Sequence, residues 1–460
     1  MELLNRKKTG KVERPVKVLQ FGEGNFLRAF VDYMIDIANE QGKFNGDIVL
    51  VKPIEFGSLD RFHDQECQYT VQLRGIVDGE PKRINRIVTS VADAVDAYGE
   101  YQKYADYAKL DSLRYIVSNT TEAGIVYDDT DRLEMEPPKS YPGKLTKFLY
   151  ERYKHFNGAM DKGLVMLPVE LIDDNGIHLK ECVEKLAVLW NLEDGFKTWL
   201  DEACVFTSTL VDRIVTGYPR DEAEELCKEF GYQDNLIVTG EPFALWVIES
   251  AKDISKEFPL PDAGLPVIFT DNQKPYKQRK VRILNGAHTS FVLASYLCGN
   301  DIVLESMQDE LIFNFMKATI FDEVIPTLTL PKQDLIDFAE AVITRFNNPY
   351  VKHALLSISL NSVSKWRARC MPSFLEYIKN EGKLPTHLTF SLAALMAFYT
   401  GTEIRDKALI GHRDGTEYQI LDDAAVLEFF AANSSKDAAE YTHAVLSNEH
   451  FWGEDLTKLA

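Results

Sequence analysis

The feature that most restricts the fold is the run from Val16 to Phe30, where the β-prone stretch Val16 to Phe21 leads through Gly22-Glu23-Gly24 into an amphipathic helix. A strand that turns straight into a helix cannot fold back on itself as a hairpin. Its sheet neighbour must arrive parallel, after a crossover. Gly22 permits the sharp exit from the strand, and Gly24 lets backbone approach a pyrophosphate. The helix start offers free N–H groups and a positive dipole end to the same place. A dinucleotide site is therefore one reading, with Leu19, Gln20, Phe21, Gly22, Glu23, Gly24, Asn25, Phe26, Leu27 and Arg28 as its candidate residues. A tight βα turn without a ligand is the other, since Leu27 stands where the third glycine of the usual pattern would be.

The same alternation continues through the first half. Candidate strands are Val16 to Phe21, Asp47 to Lys52, Tyr115 to Ser118, Leu164 to Leu167 and Val205 to Leu210, with helical patterns at Phe26 to Ala38, Tyr98 to Leu110 and Gly143 to Phe156. Tyr69 to Val91 reads instead as an inserted hairpin turning at Asp78-Gly79. After about Lys280 the chain changes to amphipathic helical runs, at Val281 to Leu297, Leu304 to Ile325, Lys332 to Phe346, Tyr350 to Val363 and Leu388 to Tyr399. Prolines 261, 266 and 275 punctuate the change. The expected fold is an α/β Rossmann-type domain with a parallel sheet over residues 1–275, followed by a mainly α-helical domain over 276–460.

At 460 residues the chain is long enough for two cores. Its net charge of −20 argues against nucleic-acid or anionic-membrane partners, which select concentrated basic surfaces. An anionic small substrate would be repelled at long range, so its site must be lined locally by Arg and Lys. Six scattered cysteines without a Cys-x-x-Cys pair suggest neither disulfides nor structural zinc. Met1 to Val18 lacks the apolar stretch of a signal peptide, and no run is long enough to span a membrane. The expectation is a reduced, cytoplasmic protein, a monomer or small homo-oligomer. The acid after the second strand that would bind ribose hydroxyls is Glu55, or else Glu55 is a solvated loop acid; Lys52 beside it keeps a 2′-phosphate, and so NADP, open. Asp60, His63 and Asp64 could share a helix face as metal ligands, but with no second cluster no metal is expected.

The stretch Lys277 to His288 carries the densest chemistry. On an ideal helix Asn285 lies about 140° from Lys280 and His288 about 80°, which puts all three on one side. Reduction of a ketone leaves negative charge on oxygen, so a proton donor and neutral hydrogen-bond donors are needed. Lys280 can supply the proton, with Asn285 and His288 as polar partners. Burial and the cations Lys277, Arg279 and Arg282 would lower the pKa of Lys280. The other reading is a solvated basic turn, a local break at Asn285-Gly286 and a core histidine.

These paired motifs, Gly22 to Phe30 and Lys280-x4-Asn285-x2-His288, resemble the long-chain polyol and mannitol dehydrogenases. The stretches Val18 to Asp36, Ser118 to Ile125, Leu210 to Glu222, Lys274 to Thr289 and Arg345 to His353 match in order, from about residue 15 to about 400. The resemblance implies zinc-independent, NAD-dependent oxidation and reduction, with Lys280 as general acid/base and Asn285 and His288 beside it. It also implies that Glu122 and Asp212 line the cleft at the cofactor. A helix-capping turn at Thr121-Glu122 and an ion pair Asp212-Arg213 are the alternatives. Two departures stand out: Val169-Glu170-Leu171 replaces an Asp-Asn pair, and Lys277 stands where the family tends to carry Glu. A cation there suits a sugar acid better than a neutral polyol. The further candidates for a substrate carboxylate are Arg345, Lys365 and Arg367, with Lys352 and His353.

Overall fold

The computed structural model describes residues 1–121 and 123–459. It has two units: Met1–Val77 with Lys82–Gln273, and Asp78–Pro81 with Lys274–Ala460.

In the first unit the strands in chain order begin β1 (Val16–Phe21), β2 (Asp47–Lys52), β3 (Tyr69–Val77), β4 (Glu80–Val88), β5 (Val91–Asp96), β6 (Tyr115–Ser118), β7 (Val165–Pro168) and β8 (Val205–Phe206). Six of them make one sheet in the order β5-β2-β1-β6-β7-β8. Every adjacent pair is parallel. The order reverses direction at β1 and β6, which is the switch point where open α/β sheets bind ligands beyond their carboxyl ends.

Alternate residues feed two cores, which is why these strands are apolar on both faces. Val18, Ile48, Leu50 and Val117 join one cluster. Leu19, Phe21, Val49, Val51 and Ile116 join the other. Phe21 packs on Tyr104 and Tyr141 at 5.9 and 5.0 Å between ring centroids. Truncating such a buried ring costs about 3–5 kcal/mol.

The structure redraws several elements expected from the pattern. The helix after the glycine turn runs without a break from Asn25–Leu27 through a π-helical turn, Arg28–Asp32, to Tyr33–Glu40. The hairpin turns at Asp78-Gly79 as expected, with φ of 55° and 79°. It ends at Val88, and Val91–Asp96 is a separate strand paired with β2. The run Val205 to Leu210 is two strands. Thr207 breaks it by anchoring its N–H and Oγ1 on the Met166 carbonyl, and β9 (Ser208–Asp212) leaves for a small sheet with later strands.

The second unit is mostly helical, as read. Lys332–Phe346 forms at its expected bounds. Leu304 to Ile325 is instead interrupted at Asp309, whose side chain accepts from Leu311 and Ile312 N–H and starts a new helix. Tyr350 to Val363 is not one helix either. Its described pieces are Leu355–Ile358 and Ser362–Arg369, split by Asn361 at φ 54°. A three-stranded antiparallel sheet over Ile404–Arg405, Ala408–Arg413 and Thr416–Ile420 was not anticipated. Its tighter hairpin turns at Asp414-Gly415, with φ of 51° and 77°.

Among the described residues no helix is long and apolar enough to cross a membrane, and all six cysteines are free thiols.

Candidate functional site

In the first unit a cavity of about 760 Å³ opens at the carboxyl ends of β1, β2 and β6. Gly22, Glu23 and Gly24 line it after β1, Pro53 and Ile54 after β2, and Asn119, Thr120 and Thr121 after β6. Gly22 has φ 120°, and a Cβ there would meet Leu27 Cδ1 at 3.1 Å and the Asn119 carbonyl at 3.3 Å. Leu27 thus packs where the usual third glycine would sit, and only glycine fits opposite it. A Cβ on Gly24 would meet nothing within 4 Å. Gly24 is also the N-cap of the helix and adds no side-chain cap, so the first N–H groups keep the orientation a phosphate uses.

Of the ten residues read as contacting a dinucleotide, only these three line the cavity. Leu19 and Phe21 are core residues. Arg28 is buried and works from behind: Nε donates to the Glu23 carbonyl, Nη1 to the Leu236 carbonyl and Nη2 to Asn25 Oδ1. It clamps the turn from inside the core. Gln20 Nε2 donates to the Gly22 carbonyl from the same side. Beneath it Tyr69 Oη donates to Asp32 at 2.6 Å, and burial pushes the Asp32 pKa up to about 7. Burial likewise raises Glu23 at the rim.

Glu55 is exposed and absent from the cavity wall, whose β2 side is Pro53 and Ile54. Lys52 is buried and committed elsewhere. Its Nζ pairs with Asp96 at 3.0 Å and donates to the Ile54 and Glu55 carbonyls, so it is not poised for a 2′-phosphate. Glu122 lies outside the described residues. Its neighbour Thr120 is fixed by the buried Glu170, which accepts from Thr120 N–H at 3.0 Å, Thr120 Oγ1 at 2.9 Å and Ser118 Oγ at 3.1 Å. The departure at Glu170 is therefore a brace for the cavity loop, its carboxyl raised by burial. Arg213, the partner proposed for Asp212, donates to the carbonyls of Ala29, Pro242 and Phe243. The His63 ring faces the Ala94 carbonyl at 2.9 Å.

In the second unit the helix Lys274–Arg279 passes into a π-helical turn, Lys280–Asn285, before Gly286–Leu297. Gly286 N–H donates to the Val281 carbonyl, five residues back. Bonding at that interval stacks residues five apart, and Lys280 and Asn285 are five apart. The 140° separation expected of an ideal α-helix is thereby narrowed. The solvated basic turn is also ruled out. Arg279 is buried with its guanidinium 4.5 Å from the Phe338 ring centroid, and Arg282 donates to the Thr327 carbonyl. Nor is Asn285-Gly286 a break. Gly286 is helical, and a Cβ there would press on the Arg369 carbonyl at 3.3 Å.

His288 stacks on Phe346 at 4.2 Å and stands edge-on to His353 at 5.5 Å. Its Nε2 is buried and has no hydrogen-bond partner among the described residues. Burial, then the positive fields of His353, Arg345, Arg369 and Lys365, push its pKa down to about 3, so the imidazole is neutral.

This grouping sorts the carboxylate candidates. Arg345 and Lys365 act on His288, whereas Arg367 lies at a different surface. Arg367 is exposed beside Asp422, Asp423 and His450 and donates to the His450 carbonyl. Arg369 was overlooked. Lys365 and Arg369 are four apart on Ser362–Arg369 and share a face, with Arg367 between them on the opposite one. That spacing was available in the sequence. Lys277 is half-buried.

Two family models match this chain. Residues 16–261 match the family model of the mannitol dehydrogenase Rossmann domain, and residues 272–460 that of the mannitol dehydrogenase C-terminal domain. The chain is similar to an altronate oxidoreductase of Yersinia enterocolitica, at 45% identity over 99% of this chain and 94% of the relative. It is also similar to one of Bacteroides thetaiotaomicron, at 43% identity over 100% and 94%. Among solved structures, a D-sorbitol dehydrogenase in substrate-free form has the same fold, with TM-score 0.78, 20% identity and 99% of each chain covered. A Pseudomonas fluorescens mannitol 2-dehydrogenase solved with NAD and D-mannitol gives TM-score 0.64 at 23% identity, over 98% of this chain and 92% of that one.

Proposed function

The chain belongs to the mannitol dehydrogenase family, and from that premise we propose that it reduces the ketone of a hexuronate, D-tagaturonate, to D-altronate, reversibly, in hexuronate breakdown. The reaction class, NAD-dependent oxidation and reduction of a CH–OH group, follows from the family. The sugar acid is supported by the relatives named altronate oxidoreductase, which this chain matches over 94% of their length.

The single observation that carries the chemistry is the π-helical turn that brings Asn285 toward the face of Lys280, three residues before His288 with its unpartnered nitrogen. Lys280 delivers a proton to the substrate oxygen as negative charge builds there, and takes it back in oxidation. Asn285 donates its amide N–H to the same oxygen. His288, neutral, donates or accepts at Nε2 according to its tautomer, and the aromatic stack on Phe346 holds its plane.

Gly22, Glu23 and Gly24 hold the dinucleotide, and the open space above Gly24 fits a pyrophosphate. NAD, when bound, supplies or takes up the hydride. Glu170 orients Thr120 at the cavity wall and touches no reacting atom in this scheme.

The test is a set of initial rates with D-tagaturonate, D-fructuronate and D-fructose, each with NADH and NADPH. The expected result is a preference for tagaturonate with NADH. Good activity on fructose with none on tagaturonate would replace this assignment with mannitol dehydrogenase, and a preference for fructuronate would replace it with a mannonate-forming reductase.

A further inference from the structure

The sequence carries 71 acidic against 51 basic residues, so its mean field repels anions. The surroundings of His288 have the opposite character. After burial, the side chains that act most strongly on its ring are His353, Arg345, Arg369 and Lys365, and each disfavours a further positive charge there. Cations gathered near a buried imidazole nitrogen raise the local concentration of anions there.

Two of these cations are held in place from behind. Arg369 Nη1 donates to Thr289 Oγ1 at 3.3 Å, and Thr289 Oγ1 itself donates to the Asn285 carbonyl at 3.0 Å. That is the one side-chain hydrogen bond Arg369 makes among the described residues, so most of its planar fork remains for a ligand. Lys365 Nζ donates to the Ile358 carbonyl at 2.9 Å. Burial and Arg369 lower its pKa, while Asp422 opposes them. Asp422 is already engaged by Tyr399 Oη at 2.5 Å and Asp423 N–H at 2.8 Å. Arg369 is also fixed through backbone, because its carbonyl rests against Gly286 and the Cys370 thiol donates to the Gly286 carbonyl at 3.6 Å.

We propose that Arg369, with Lys365, receives the terminal carboxylate of the sugar acid and is the residue that makes this chain select an acid over a neutral ketose. The assignment rests on the sugar-acid reading above. A guanidinium fork matches a carboxylate in two parallel hydrogen bonds, which a neutral CH₂OH group cannot reproduce. The Thr289 link ties that fork to the helix bearing Asn285 and His288. The carboxylate end and the reacting carbon are thereby registered against one rigid element.

The experiment compares D-tagaturonate with D-tagatose, the neutral ketose of the same configuration, in the full chain and its Arg369→Met, Arg369→Lys and Lys365→Met variants, with melting curves to confirm folding. The expected result for Arg369→Met is a rise of about 10- to 150-fold in KM for tagaturonate, the range for a lost hydrogen bond to a charged group. The change in kcat should be smaller, and the tagaturonate-to-tagatose ratio of kcat/KM should fall. Arg369→Lys should recover part of that ratio, and Lys365→Met should lower it less. A wild-type protein that reduces tagatose and no uronate overturns the substrate reading and this inference with it. A wild-type protein that reduces tagaturonate while folded Arg369→Met and Lys365→Met keep its ratio overturns the inference alone.

Discussion

The cavity of the first unit is walled at its critical point by backbone. Two glycines set the shape, one by a φ no other residue holds comfortably and one by empty space, while the charged Arg28 faces away into the core. The second unit has the reverse construction, with Arg345 from one helix and Lys365 and Arg369 from another acting on the imidazole of His288, which a third helix carries. A backbone site tolerates side-chain exchange around it and fails when the chain path changes. A site built from side chains tolerates path changes far away and fails atom by atom.

The sharpest way to break this contrast is Lys280→Ala. Loss of a positioned acid/base typically costs about 10²–10⁴ in rate, and the drop should appear in kcat while the affinity for NADH, read by fluorescence titration, stays within a few-fold. A variant with near wild-type turnover across pH would remove Lys280 from the chemistry.

Next in size is Gly22→Ala, the equivalent stroke against the backbone site. The methyl would meet Leu27 and the Asn119 carbonyl in a left-handed conformation, at a cost of about 1–3 kcal/mol. NADH affinity should fall at least tenfold, with unchanged discrimination between sugar substrates. If the affinity holds, the glycine turn is only a turn.

A smaller effect concerns pH. His288 has a folded pKa near 3 against an ordinary 6.5, so the unfolded chain takes up a proton that the folded chain refuses. Stability is therefore lost as pH falls below about 6.5, down to about 3. His288→Asn should flatten the melting temperature over that window relative to wild type, and an unchanged slope would mean the ring is more hydrated than its contacts imply.

The smallest expected effect is a control. Arg367→Ala should leave kcat/KM for tagaturonate within twofold, because Arg367 faces Asp422, Asp423 and His450 rather than His288. A loss matching that of Arg369→Met would mean that the two arginines share one site.

These differences also explain what the sequence could disclose. Strands β1, β2 and β6 were legible at their observed bounds because period, turn residues and burial agree locally. The glycine turn was legible for the same reason. His288 and its cations were legible one at a time, but their grouping depends on how Lys332–Phe346 and Ser362–Arg369 pack, which no local pattern encodes. Arg367 and Arg369 look alike in one dimension and diverge only once helical phase is applied. The Asp414-Gly415 hairpin carried the same turn signal as Asp78-Gly79, and went unread because its surroundings are helical. Glu55 failed for a different reason: Pro53 and Ile54 turn the chain so that they, and not the acid, face the cavity.

The π-helical turn at Lys280–Asn285 bears on how such a helix can change over generations. A turn of this kind is an α-helix carrying one surplus residue, so excising a single residue such as Val281 would restore regular winding and leave the helix sounder than before. Everything beyond the excision, His288 included, would keep nearly the same bearing against Lys280, because Asn285 would become its neighbour four residues on in a regular helix. The protein should therefore admit a shortened form that folds well and still presents Asn285 and His288 on the side of Lys280.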